Sequence, residues 1–193
     1  MVKTSFSRMI QLGLIVSALL ISAYGQSNTP AGKDRSSQKT NTNQATSQSQ
    51  SEPLMQLAEM NVAERDLGKV AAKKAQNRQV KDFANMMVRD HTQGLAKVHA
   101  AQGAPATEPK PNAKHQQAAD KLSKLTGAEF DRAYMDEMVN GHQEAVNTLQ
   151  EMSRGNDAAA KIATELLPTV KQHLQKAQEI QKELQSGTRT TSR

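Results

Sequence analysis

Between residues 53 and 185 apolar side chains return every three or four positions and no stretch alternates apolar with polar, so this region can bury its hydrophobic surface only as amphipathic helices. Four long helices are predicted. The first starts after Ser51 with Pro53 in its first turn, runs to about Gln76, and has an inner seam of Leu57, Met60, Glu64, Leu67 and Ala71. The second runs from about 78 to 101, with Val80, Phe83, Met87, His91, Leu95 and Val98 facing inward. The third begins at Thr126-Gly127-Ala128-Glu129, a capping-box pattern in which the Thr126 hydroxyl bonds the first helix amides and Glu129 reaches back. Its seam is Tyr134 or Met135, then Met138, His142, Ala145, Leu149 and Met152, ending near Gly155 and Asn156. The fourth starts at Asn156 or Asp157, buries Ala159, Ile162, Leu166, Val170, His173, Ala177, Ile180 and Leu184, and is kinked by Pro168.

Composition agrees with an all-α class. Aromatics make up 3% of the chain and Trp is absent, so the core is built from Leu, Met, Val and Ala, which suits close helix packing. The absence of Cys excludes disulfides, thiolate metal sites and cysteine nucleophiles. About 25 residues separate helices two and three, Pro-rich from Pro105 to Pro111 and then amphipathic through Ala118, Leu122 and Leu125. Tight antiparallel neighbours need only a few residues, whereas this connector can cross a bundle about 35 Å tall. The expected architecture is a ferritin-like four-helix bundle with one long crossover between helices two and three.

Outside the helical region, residues 1–25 have the order of a secretory signal peptide: Lys3 and Arg8, the apolar run 9–21, then Ala23-Tyr24-Gly25 as a cleavage site. The run is about 13 residues where a bilayer span needs roughly 20, so an uncleaved anchor is the weaker alternative. With no Cys to lipidate, the product is not a lipoprotein, and the mature chain is expected in the periplasm or cell envelope without a transmembrane span. Residues 26–51, rich in Ser, Thr, Gln and Asn, read as a disordered polar linker, 52–185 as the bundle domain and 186–193 as a disordered tail. The formal charge is +6, and removing the two leader charges leaves +4. Export disfavours nucleic acid as a partner and leaves an envelope component or a metal ion; a mildly basic surface can meet anionic lipid, polysaccharide or acidic protein by screened attraction.

Each predicted seam carries one titratable interruption: Glu64, His91, His142 and His173. Counting from the helix ends puts Glu64 level with His91 and His142 within about one turn of it, with His173 about another turn away. One imidazole or carboxylate per helix at mid-bundle is what a metal site inside a bundle requires, with Asp90, Asp131 and Tyr134 as hydrogen-bond partners that orient the ligands. The alternative is a buried hydrogen-bonded network that fixes helix register. An ordinary di-iron centre is disfavoured, because Val88 and Val170 occupy the positions three before His91 and His173 where Glu-x-x-His pairs would need carboxylates. Met60, Met87 and Met138 each precede Glu64, His91 and His142 by four residues, a pattern that suits either copper(I) or plain core filling. It also makes a faint internal repeat of two helical hairpins. His99 and His115 read as solvated. No nucleophile with its base, no phosphate-binding Gly loop and no HExxH is present, which argues against a hydrolase or nucleotide enzyme.

The run Phe83-Ala84-Asn85-Met86-Met87-Val88-Arg89-Asp90-His91, the run from Thr126 to Tyr134 with its Phe130-Asp131-x-x-Tyr134, His142, and Leu167-Pro168 followed by His173 together resemble domain of unknown function family 4142 over about residues 52–184. Those are exported bacterial proteins often labelled outer-membrane proteins. The resemblance implies a ferritin-like fold and an envelope location, and the family carries no settled activity. Glu64 with Leu67-Gly68 follows the family pattern, while Asn140 and Gly141 precede His142 where an Asp is common. Amphipathic helices supply neither barrel strands nor a spanning segment for an outer-membrane location. The leading expectation is a non-enzymatic envelope interaction or stress-related protein, with a periplasmic metal-binding bundle as the alternative and an oxidase-type enzyme third.

Overall fold

The computed structural model describes residues 39–103 and 107–190, and these form five helices and no strand: α1 Lys39–Lys74, α2 Arg78–Gln102, α3 Ala113–Ser123, α4 Gly127–Met152 and α5 Ala158–Thr190. The predicted leader at 1–25, residues 26–38 of the predicted linker and the last three residues lie outside the described set. Local chemistry sets most boundaries. Asn77 caps α2 by accepting from the amides of Gln79 and Val80, and Gly103, at φ 72, ends it in the left-handed region that Gly adopts without strain. Asn112 caps α3 through the His115 amide, and Asp157 caps α5 through the Ala160 amide at 2.8 Å.

Two boundaries and one cap differ from the sequence expectation. The first helix starts at Lys39, inside the predicted linker, so Pro53 lies within it and not in its first turn. A polar composition withholds core contacts but not helical backbone, and Pro53 removes a single donor, so the helix extends outward past Leu54, where burial begins at 5% exposure. At the other end α5 runs on through Pro168 to Thr190, taking in part of the predicted tail. The capping box does not form: the Thr126 hydroxyl makes no cap bond. Gly127 takes φ 61, a left-handed step that swings Thr126 off the helix axis, so only the Thr126 carbonyl engages, accepting from Phe130 N at 3.3 Å.

The pairs α1–α2, α2–α5 and α1–α4 run antiparallel, which leaves α2 parallel to α4, where Phe83 meets Tyr134 and His91 meets His142. Asn61 of α1 faces Gly94 of α2, while Gly68 faces Ala84; a Cβ at Gly68 would lie 3.1 Å from the Ala84 carbonyl oxygen, so the missing side chain sets how closely the two backbones approach. Between α2 and α5, Gln79 bonds Glu183, Asp90 bonds His173 and Lys97 bonds Glu165. Gln76, just past α1, donates its amide to Asp131 of α4, and Glu64 lies against Gly141. The connector follows α1: Arg65 holds Glu108 in a two-bond fork at 2.7 and 2.8 Å, Glu59 holds Asn112, and Lys74 donates to the Leu122 and Ser123 carbonyls. Two apolar clusters result, one around Phe83, Phe130, Tyr134 and Ile180 and the other around Leu57, Val98, Leu149 and Ile162. The polar residues of the seams are buried along with them.

Candidate metal centre

A histidine on an otherwise apolar helical stripe is carried into the core by its neighbours, whatever its own solvation preference. His91, His142 and His173 are 7%, 1% and 1% exposed. Their ring centroids are 5.3 to 5.9 Å apart, and one ring nitrogen from each lies within 4.8 Å of the others. His173, expected about a turn out of register, is thus closer to His91 than His142 is.

Hydrogen bonding assigns the protons. Asn61 donates its amide nitrogen to the Leu57 carbonyl at 2.7 Å, which turns its oxygen toward His91 Nδ1 at 3.1 Å. That oxygen only accepts, so His91 carries its proton on Nδ1. His142 Nδ1 donates to the Met138 carbonyl at 2.9 Å, and His173 Nε2 donates to Asp90 Oδ2 at 3.0 Å, the Asp90 carboxylate also accepting from Arg89 at 2.8 Å. The nitrogens left with lone pairs are His91 Nε2, His142 Nε2 and His173 Nδ1. All three are buried and meet no protein donor.

Electrostatics keeps the cluster neutral. Burial, then the neighbouring His142 and His173, push His91 well below the ordinary histidine value; burial, then His173, takes His142 down to about 3. Burial also lowers His173, against the opposing pull of Asp90. Burial raises the Asp90 carboxyl, but the bonds from His173 and Arg89 outweigh it and hold the group below its ordinary value. Glu64 goes the other way: burial first, then Glu137 and Glu59, raise it to about 8, so near neutral pH it is a carboxylic acid.

A cavity of about 200 Å³ lies against these residues, with Asn61, Glu64, Asp90 and the three histidines on its wall. Glu64 is 8% exposed with Oε2 unpartnered, yet it stands outside the set of donors within 4.8 Å of one another. The four predicted seam residues therefore share one cavity, and three of them converge. Of the predicted helpers, Asp90 reaches a histidine. Asp131 does not: it accepts from the backbone amides of Gln76 and Asn77 at 3.2 and 2.8 Å, because the start of α4 packs at the α1–α2 turn, about 16 Å along the helix from His142. Tyr134 stacks on Phe130, with ring centroids 6.1 Å apart, and its hydroxyl has no partner; burial, then Glu64, raises its pKa. Met87 and Met138 belong to the apolar core, leaving Met60 as the thioether on the cavity wall. His115, expected to be solvated, bonds Glu59 at 2.7 Å and lines the cavity, and His99 has a buried Nε2 with no partner.

Two residues escaped sequence reasoning. Asn61 orients His91, and the available signal is its place one turn before Glu64 on the same face. Gly94 makes the room: a Cβ there would lie 2.2 Å from Asn61 Oδ1. Gly94→Ala is expected to displace Asn61 and free the His91 ring, and any zinc affinity of the cluster would fall by about 10–100-fold, as loss of a ligand's orienting partner does. Calorimetric titration of zinc into both proteins measures it; equal affinities would show that Asn61 does not orient the ring.

A family model described as Domain of unknown function (DUF4142) matches residues 35–180. Among curated proteins none matches the chain. Among solved structures the chain is similar to the crystal structure of a DUF305 fragment from Deinococcus radiodurans, with a TM-score of 0.57 and 17% identity over 68% of this chain and 97% of that one. At that identity the likeness speaks for the helical fold alone. No helix among the described residues is long and apolar enough to cross a membrane.

Proposed function

The chain belongs to the DUF4142 family of domains of unknown function, and on that premise we propose that it binds one divalent transition-metal ion through His91 Nε2, His142 Nε2 and His173 Nδ1. The observation that carries this is that one ring nitrogen from each of three buried histidines lies within 4.8 Å of the others, while each ring has a buried nitrogen that no protein group engages. A purely structural network would pair both nitrogens of a buried imidazole, since an unsatisfied buried polar atom costs about 1–3 kcal/mol. Here each ring spends one nitrogen on an acceptor and leaves the other buried without a protein partner, as histidines available to a metal do. Neutral imidazoles suit zinc, cobalt(II) and copper(II), and with two of three thioethers in the core copper(I) has little to recommend it. The scaffold that fits these pairings is a ferritin-like four-helix bundle of α1, α2, α4 and α5, with the α3 segment as its crossover. The leader at residues 1–25 supports a periplasmic or envelope setting, with metal holding as the role there.

The test is metal content by mass spectrometry of the full chain purified without chelator, beside a variant carrying His91→Ala and His142→Ala. About one equivalent of a single metal, lost in the still-helical variant, is the expected result. Less than about a tenth of an equivalent, unchanged after loading with zinc, cobalt, copper, iron and manganese, rules out metal binding and returns the chain to an envelope interaction role.

A further inference from the structure

A dication held by three neutral imidazoles keeps its full charge in a buried cavity, and a buried charge without a counter-ion is costly. The nearby acidic groups balance it only in part: the Asp90 carboxylate held by His173 at 3.0 Å supplies one negative charge through the imidazole, Glu64 stands outside the three-histidine group, and the second charge is left unmatched. Three protein ligands also leave one position of a tetrahedral ion open, which is how sites that accept an external ligand differ from closed four-ligand structural sites. The cavity beside the histidines, about 200 Å³, has room for a small ligand. On its wall the Glu64 carboxyl presents a buried Oε2 that no protein group engages.

Resting on the metal site proposed above, we infer that this cavity takes a small monoanion with an oxygen or nitrogen donor, such as a short carboxylate, at the metal's open position, with Glu64 as its hydrogen-bond partner. The anion supplies the missing counter-charge, and the unpartnered Glu64 oxygen acquires a partner. Size and approach both select against larger, more highly charged anions. Glu59, Glu137 and Glu144 also line the cavity, with Lys114 as its lysine and His115 bonded to Glu59, so a sulfate or phosphate meets more repulsion than a monoanion does.

Cobalt(II) bound to the full chain gives the readout, because its visible d–d bands change with the ligand at the open position. In a non-coordinating buffer, acetate and azide are expected to shift the bands saturably, and sulfate to bind at least about tenfold more weakly. Glu64→Ala should raise the acetate dissociation constant by about tenfold or more, while Glu64→Gln, whose amide still donates, should raise it less; both should retain cobalt. A spectrum unmoved by acetate and azide with cobalt bound overturns the open position and leaves the metal site standing. Cobalt lost from Glu64→Ala but held by the parent makes Glu64 the fourth ligand and also overturns it, and sulfate binding as tightly as acetate overturns the selectivity. A parent chain that binds no cobalt is a failure of the metal site itself.

Discussion

Saturating zinc is expected to raise the melting temperature of the full chain by about 8–16 °C, and to leave that of a His142→Ala variant unchanged. An ion that binds only the folded chain adds its binding free energy to stability, about 4 kcal/mol at a thousandfold excess over the dissociation constant. For a chain of this size each kcal/mol shifts the midpoint by about 2–4 °C. The effect is large because the proposed ligands are brought together only by folding: His91, His142 and His173 come from three helices, and the unfolded chain has no comparable constellation. His142 is the informative position, being 1% exposed and oriented by its own helix through the Met138 carbonyl, so its loss removes a ligand without disturbing Asn61 or Asp90. A scanning calorimeter with and without zinc measures both proteins. An equal rise in the variant would place zinc elsewhere, on surface carboxylates or the outer His115 and Glu59.

Metal-free protein should be most stable near pH 6.5 and lose stability on either side. Glu64 has a folded value of about 8 against an ordinary 4.5, so between those limits the folded chain holds a proton that the unfolded chain releases, and stability falls as pH rises through that window. The histidines have the opposite sign. His142, at about 3, and His91, lowered well below 6.5, stay neutral in the folded chain while the unfolded chain binds protons below 6.5, so acid favours unfolding. Each lowered histidine contributes about 1.4 kcal/mol per pH unit, and together they outweigh the single opposing slope of Glu64 on the acid side. From pH 6.5 to 8 Glu64 acts with little opposition and removes on the order of 2 kcal/mol. Glu64→Gln abolishes that alkaline decline and leaves the acid limb in place. Urea unfolding of both proteins across this range tests it, and an alkaline limb that survives the substitution assigns the decline to another group.

The residues of the candidate site were legible because each breaks a pattern. Glu64, His91, His142 and His173 interrupt apolar seams at helical spacing, and burial of those seams takes them inward. Asp90, next to His91 in sequence, reaches His173 across the helix interface, and nothing in its spacing distinguishes it from Asp131, which caps a turn instead. The difference lies in which helix ends are neighbours, a property of packing. Helix extent was less legible at α1 and α5: backbone hydrogen bonds continue past the last packed side chain, so amphipathicity marks where burial begins and not where the helix does.

By itself the sequence determined the helical class, the four amphipathic seams and the identity of the polar residues those seams carry inward, because a period of three to four residues admits only one way of burying an apolar face. Tertiary structure alone decided that the three rings converge and which nitrogen of each stays free. That depends on ring tautomers set by Asn61, the Met138 carbonyl and Asp90, on the space Gly94 leaves for Asn61, and on Glu64 standing back from the histidines. Each is a contact of a few ångströms between helices distant in sequence, where a shift of one atom changes a donor into a clash.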